Sequence, residues 1–271
     1  MDTIVIDGVE LHLSPPTEFP AKWIGQRGVQ EQLIAAWLKL QEEDIPLTPR
    51  VTGPPGVGKT TMAYTTAKEL GKETYFMQAT MDTRPEDLII TPVISDDQKI
   101  KYVASPIVSA MIRGGTVILD EGNRMAEKSW ASLAPLLDQR RYVESQIAGI
   151  TIKAHEDFRL VTTMNSDAST FELPEYITSR LQPVIELDYP TSEEERAILK
   201  YNIPFAPDEI VDQVVAFLQA AHYDDKPYTV RGGIQVLSFS LKLKEVTKAP
   251  IENCLMNAVL QVFGDDAMEY I

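Results

Sequence analysis

The run Gly53-Pro54-Pro55-Gly56-Val57-Gly58-Lys59-Thr60 fits the spacing G-x-x-x-x-G-K-[ST], and further along the apolar run Val117-Ile118-Leu119 ends in two carboxylates, Asp120 and Glu121. Glycines at these positions let consecutive backbone N–H groups turn inward around phosphate oxygens that a Cβ would obstruct. Lys59 then meets the β- and γ-phosphates. Thr60, beside Thr61 in the first turn of the following helix, offers its hydroxyl to Mg²⁺, and the helix N-terminus adds partial positive charge. A nucleoside triphosphate with Mg²⁺ is the ligand this chemistry implies.

The carboxylates complete that chemistry. A strand apolar on both faces that breaks into acids at its C-terminal end belongs in a parallel sheet, where ligands gather at the strand ends. Asp120 is expected to hold the Mg²⁺ shell, directly or through water. Glu121 is expected to accept the proton of the water attacking the γ-phosphorus. A third polar group, Asn165, ends the strand Phe158–Met164, where an amide can bond both a γ-phosphate and the attacking water.

Elements that could position these groups alternate along the chain. A strand-like stretch over Thr3–Leu13 precedes a helix over Val29–Gln41, with Leu33, Ala36, Trp37 and Leu40 on one face. The strand Arg50–Thr52 feeds the glycine-rich loop, a helix runs from Lys59 to Leu70, and the strand Thr74–Gln78 leads to a short helix opened by Arg84-Pro85. Asp96-Asp97-Gln98 reads as the turn of a hairpin between Thr91–Ser95 and Lys99–Ala104. The helix Ser105–Arg113, the strand to Glu121, a helix around Ser129–Arg140 and a second hairpin over Tyr142–Lys153 follow. Beyond Tyr189-Pro190 the pattern turns helical. Ser192 reads as an N-cap before Glu193-Glu194-Glu195, and further helices are expected over Pro207–Ala221, Val230–Lys242 and Ile251–Phe263. The expected organisation is a tail or strand over 1–20, an α/β domain over 21–190 with a parallel sheet between helices, and a small helical domain over 191–271.

Composition narrows the function classes. The 271 residues carry a formal net charge of −15, which opposes generic binding to a phosphate backbone, and Lys99-Ile100-Lys101 and Arg140-Arg141 are short basic patches. Glu42-Glu43-Asp44, Glu193-Glu194-Glu195 and Asp265-Asp266 read as exposed helix ends and loops. Cys254 is the single cysteine and reads as a buried thiol, while His12, His155 and His222 make no metal-binding spacing. No apolar run approaches the roughly eighteen residues of a membrane span, and the start lacks signal-peptide character, so a cytoplasmic protein with no membrane insertion is expected.

The order Gly53–Thr60, Val117-Ile118-Leu119-Asp120-Glu121-Gly122-Asn123-Arg124 and Thr163-Met164-Asn165 resembles an AAA+ ATPase. The Asp-Glu-x-Asn-Arg form, the hairpin-bearing insert before it and Ser105-Pro106-Ile107-Val108-Ser109-Ala110 resemble the MoxR group, which includes the NorQ/CbbQ-like chaperone ATPases. The resemblance implies a P-loop NTPase fold, a three-layer α/β/α arrangement with a helical lid, and a ring homo-oligomer, commonly a hexamer. It also implies chaperone-like remodelling of a protein partner, often one with a von Willebrand factor A domain. On the same basis Asn165 matches sensor 1, Arg231 matches sensor 2, and Arg180 matches the arginine that reaches a neighbouring subunit's site. Arg124, Arg140 and Arg141 remain alternatives to Arg180 for that trans role. Ile24-Gly25 matches the segment beside the adenine, and Gln78 stands where some members hold the glutamate inactive. The two hairpins are candidate surfaces for gripping a partner. The Asp-Glu-x-Asn-Arg form also occurs in restriction-type ATPases, so a nucleic-acid-directed motor is the alternative.

Overall fold

The computed structural model describes residues 2–95, 98–165, 172–224 and 226–271, so Asp96 and Asp97 of the expected turn lie outside the described residues. Two compact units emerge. One contains Met1–Trp23, Arg27–Thr52 and Lys59–Glu186, and the other contains Ile24–Gln26, Gly53–Gly58 and Leu187–Ile271.

The first unit begins with β1 (Thr3–Ile6), β2 (Val9–His12), α1 (Arg27–Trp37), β3 (Arg50–Gly53), α2 (Lys59–Glu69) and β4 (Thr74–Gln78). It continues through α3 (Pro85–Leu88), β5 (Ile90–Ile94), β6 (Ile100–Ala104), α4 (Pro106–Arg113), β7 (Thr116–Asp120) and α5 (Glu127–Leu133). The last elements are β8 (Tyr142–Ser145), β9 (Ile150–Lys153), β10 (Arg159–Asn165), α6 (Glu175–Thr178) and β11 (Val184–Glu186).

Its central sheet has the order β11-β3-β10-β7-β4. β7 pairs parallel with β10 on one side and β4 on the other, in registers that set Leu119 opposite Thr162 and Gln78 opposite Asp120. Val117, Ile118, Leu119 and Val161 have no solvent exposure, which is why these strands are almost continuously apolar or threonine. Trp130 and Trp37 pack into the same unit, and their indole N–H groups donate to the carbonyls of Gly122 and Leu160.

Several elements depart from the sequence reading. The N-terminal stretch is a hairpin, turned at Asp7-Gly8, and β2 pairs parallel with β6, so two hairpins merge in a separate sheet ordered β1-β2-β6-β5. The helix expected to reach Gln41 ends at Trp37. Leu47 N–H bonds to Ala36 O, the chain turns, and Leu40 is 81% exposed instead of lying on the buried face. The helix expected to reach Arg140 ends at Leu133, because Pro135 has no N–H to give to the carbonyl of Ala131. β11 was not anticipated; only three residues long, it is recognisable by its parallel pairing with β3.

The second unit is built on α7 (Ser192–Asn202), α8 (Asp208–Tyr223), α9 (Val230–Thr247) and α10 (Ile251–Phe263). Thr191, not Ser192, caps α7: its hydroxyl accepts from Glu194 N–H while the Glu194 carboxylate accepts from Thr191 N–H. Glu195, read as exposed with its acidic neighbours, is completely buried. It lies one helical repeat before buried Leu199, on the face of α7 that packs inward. The pair Gly232-Gly233 is explained by packing. A Cβ on Gly232 would meet the Phe263 ring at 2.3 Å, and one on Gly233 would meet Leu218 Cδ1 at 2.6 Å.

These contacts separate two otherwise similar substitutions. Ala recovers up to about 1 kcal/mol of helix propensity over Gly, while overpacking costs about 1–3 kcal/mol. Gly232→Ala should therefore lower the thermal midpoint. Gly233→Ala, which meets one methyl of the buried Leu218 instead of an aromatic ring, should lower it less, and calorimetry of both variants checks the order.

Candidate functional site

Lys59 opens α2 and is buried, with Thr60 half-buried beside it. Thr60 Oγ1 donates to Asp120 Oδ1 at 2.6 Å, and Thr163 Oγ1 also donates to that oxygen. Thr163 in turn accepts Glu121 N–H at 3.2 Å, so a β10 hydroxyl ties together the two acids that end β7. Sequence reasoning passed over Thr163. Its signal was a polar residue near the end of a buried strand, next to Met164-Asn165.

Glu121 has φ 54° and ψ 41°, a left-handed backbone that is unusual for a residue with a side chain. Such a conformation costs of the order of 1–3 kcal/mol and persists where neighbours over-determine it. They do so here on both sides. The Glu121 N–H bonds to Thr163, and the turn Gly122–Arg124 that follows is pinned by Trp130 Nε1 on Gly122 O at 3.1 Å. The reversal sets the Glu121 carboxylate among three polar groups. Asn165 Nδ2 donates to Oε1 at 3.1 Å, Gln78 Nε2 donates to Oε2 at 3.1 Å, and Arg124 Nε stands 2.6 Å from Oε2. The last contact is an ion pair with the N–H poorly aimed for a hydrogen bond. Asn123 Nδ2 supports Asn165 through its carbonyl at 2.9 Å.

The loop before Lys59 belongs to the second unit. Gly53 ends β3, Pro54 and Pro55 are half-buried, Val57 is buried, and Gly56 and Gly58 have φ of 73° and 100°. A Cβ on Gly56 would stand 2.9 Å from Thr229 Oγ1, so both conformation and space demand glycine. Ile24 and Gly25 are half-buried, and the adjoining Gln26 N–H donates to Glu194 Oε1 at 2.7 Å. Arg231 is exposed on the first turn of α9 and has no side-chain hydrogen bond or ion pair among the described residues. Thr61 is half-buried on α2, its carbonyl accepting from Thr65.

The four arginines left open by sequence have different surroundings. Arg141 is desolvated and donates to the carbonyls of Phe158 at 3.0 Å and His155 at 3.3 Å; burial lowers its pKa from the usual value. Arg124 faces Glu121 of its own chain. Arg140 and Arg180 share Asp138: Arg140 donates to both carboxylate oxygens, and Arg180 Nε reaches Oδ2 at 3.3 Å while its Nη1 donates to Tyr176 O. Hydrogen bonding from Arg140, joined by Arg180, holds the Asp138 carboxyl well below the usual carboxylate range. Among these four, Arg140 and Arg180 combine a common carboxylate with partial solvent access.

The donor set is hard and oxygen-rich. A threonine hydroxyl and a carboxylate, already 2.6 Å apart, suit Mg²⁺ completed by phosphate oxygens and water, and positive-φ glycines before a helix N-terminus suit a triphosphate.

Residues 51–181 match the family model of the AAA domain, dynein-related subfamily. An uncharacterized protein of Staphylococcus haemolyticus is 23% identical over 220 residues, which cover 79% of this chain and 83% of that protein. One from Staphylococcus epidermidis is 24% identical over 224 residues, with the same coverage of each. Among solved structures, the Thermotoga maritima RuvB Holliday junction branch migration motor aligns with a TM-score of 0.61 and 21% identity, over 90% of this chain and 72% of that one. NtrX from Brucella abortus aligns with a TM-score of 0.56 and 15% identity, over 86% and 62%. The fold is the AAA+ P-loop NTPase fold. Among the described residues, no helix is long and apolar enough to cross a membrane.

Arg141→Ala should destabilise the fold by about 1–3 kcal/mol, because two carbonyls lose their charged donor in a desolvated setting. The urea midpoint checks this, and an unchanged midpoint would make Arg141 free for another role.

Proposed function

We propose that this chain is a Mg²⁺-dependent ATPase of the MoxR branch of AAA+ proteins, built as an α/β domain over 21–190 and a helical lid over 191–271. It works in a ring, with a hexamer as the expected form, and remodels or activates a protein partner, of which a von Willebrand factor A domain protein is the expected class. One observation carries the reading: the Glu121 carboxylate, one residue beyond the Thr60–Asp120 hydrogen bond, is held by Gln78, Asn165 and Arg124.

In this reading the backbone of Gly53–Gly58 and the Lys59 ammonium bind the triphosphate, with Thr61 at the helix start and Ile24 and Gly25 beside the adenine. Thr60 and Asp120 would hold Mg²⁺, which when bound would neutralise phosphate charge. Glu121 accepts a proton from the attacking water, a contribution of about 10²–10⁴ in rate, and Asn165 orients that water. Arg231 senses the nucleotide from the lid. Arg180 serves the site of a neighbouring copy, where a guanidinium stabilises charge on the transferred phosphoryl group. Three contacts restrain the Glu121 carboxylate and draw on its basicity, so loosening them should make it a better proton acceptor. This favours hydrolysis gated by a partner.

A nucleic-acid-directed motor is the second reading, favoured by the likeness of fold to the RuvB branch migration motor. The net charge of −15 weighs against it. Salt-sensitive stimulation of hydrolysis by DNA or RNA would make it the better one.

Glu121→Gln should reduce single-turnover ATP hydrolysis by about 10²–10⁴ while ATP binding persists; unchanged turnover would remove Glu121 as the base. Gln78→Ala should raise turnover in the absence of any partner, because it removes one of the two groups that hold Glu121 Oε2 and leaves Arg124 alone on that oxygen. A steady-state phosphate-release assay reads this directly, and a fall in rate would assign Gln78 a supporting role instead.

A further inference from the structure

Within the second unit, two buried ionisable groups face each other and take no part in the hydrolysis proposed above. Glu195 Oε1 and His222 Nδ1 are 3.6 Å apart, on side chains 0% and 8% exposed, and neither atom has a hydrogen-bond partner among the described residues. Their other polar atoms are engaged. Gln219 Nε2 donates to Glu195 Oε2 at 2.9 Å and to Pro190 O at 3.1 Å. His222 Nε2 lies 2.5 Å from Tyr228 O. A carbonyl can only accept, so Nε2 carries a proton and Nδ1 is the ring atom left facing the carboxyl group.

Two lone pairs turned toward each other in a desolvated site repel, and two orphaned buried atoms are costly. A single proton between Oε1 and Nδ1, with a small closure from 3.6 Å, satisfies both. Among the described residues, the groups around the pair include Asp188 and Tyr189 from the segment before α7, Gln219 from α8, and Tyr228 from the segment before α9. Tyr189 stacks on the imidazole with ring centroids 3.8 Å apart.

We propose that Glu195 and His222 share one proton and act as positioning residues that fix the Tyr228–Arg231 segment beside the glycine-rich loop. The inference rests on the reading of that loop as an ATP site. His222 holds the carbonyl of Tyr228, and the next residue, Thr229, caps α9 by accepting Gly232 N–H at 3.1 Å. Thr229 also stands 2.9 Å from where a Gly56 Cβ would lie, which sets Arg231 two residues further on. The same turn of α7 serves a second segment, since Glu194 accepts Gln26 N–H at 2.7 Å and packs against Gly25. One helical turn thus fixes both the Gly25–Gln26 turn and the arm bearing Arg231.

The shared proton makes this support depend on pH. Burial pushes the Glu195 carboxyl up to about 7 and lowers the His222 imidazole from its usual value. Because the folded value of Glu195 lies above its ordinary one, the proton's contribution is complete at low pH and is lost as pH rises through about 7. Above that, a carboxylate faces an imidazole lone pair and the hold on Tyr228 loosens.

The test is the affinity of the full chain for a fluorescent ATP analogue with Mg²⁺ between about pH 6 and pH 9, for wild type, Glu195→Gln and Glu195→Ala. Wild-type affinity should fall several-fold as pH rises through the neutral range. Glu195→Gln should give a flat profile, because its amide N–H donates to Nδ1 at every pH, and Glu195→Ala should bind weakly throughout. Histidine ¹⁵N spectra of the wild type should show His222 protonated at Nε2. Binding with the same pH profile in wild type and Glu195→Gln, or an Nδ1-only tautomer, would overturn the positioning pair alone. Absence of binding by the wild type at every pH would remove the ATP reading and this inference with it.

Discussion

The left-handed turn at Glu121 is the constraint on which the rest of the site depends. A strand buried on both faces delivers two adjacent acids to one sheet edge, and without a reversal their side chains would point to opposite faces. The reversal leaves Asp120 with the Thr60 hydroxyl and sends Glu121 toward Asn165 and Gln78. That meeting requires the order β10-β7-β4, because β10 supplies Thr163 and Asn165 while β4 supplies Gln78 in register with Asp120. Tight packing of Gly122 secures it, since a Cβ there would meet Thr162 Oγ1 at 2.3 Å.

A site arranged in this way is poised more than active. The Glu121 carboxylate is surrounded by an amide on each side and a guanidinium, all from its own chain. Such contacts hold it in place and also occupy it. Coupling of hydrolysis to another event follows if that event withdraws Gln78 or Arg124, and the arginines that share Asp138 are suited to report on a neighbouring copy.

Much of this was legible in the sequence because its causes are local. The loop Gly53–Thr60 and the run Val117–Glu121 carry their spacing and polarity on the surface of the text, and β4, β7 and β10 fall within a residue or two of where alternation of apolar and turn residues puts them. What escaped depends on tertiary contacts. Leu40 has the right spacing for the buried face of α1, but the chain turns at Trp37. β11 exists through its pairing with β3. Glu195 looked like its acidic neighbours, and only its position four residues before Leu199 hinted at the inward face; its partner His222 lies on a different helix. Thr163 was hidden as an ordinary strand residue although it links both acids.

The proposed completion of each site by Arg180 of a neighbouring copy is tested most directly by mixing two disabled chains. Glu121→Gln subunits keep Arg180 but lack the base, whereas Arg180→Ala subunits keep the base but lack the arginine. Hydrolysis measured across mixing ratios, with co-assembly followed by light scattering, should recover in the mixtures although each variant alone is inactive. No recovery at any ratio in co-assembled rings would contradict the account, since the site would then be complete within one chain or served by a different residue.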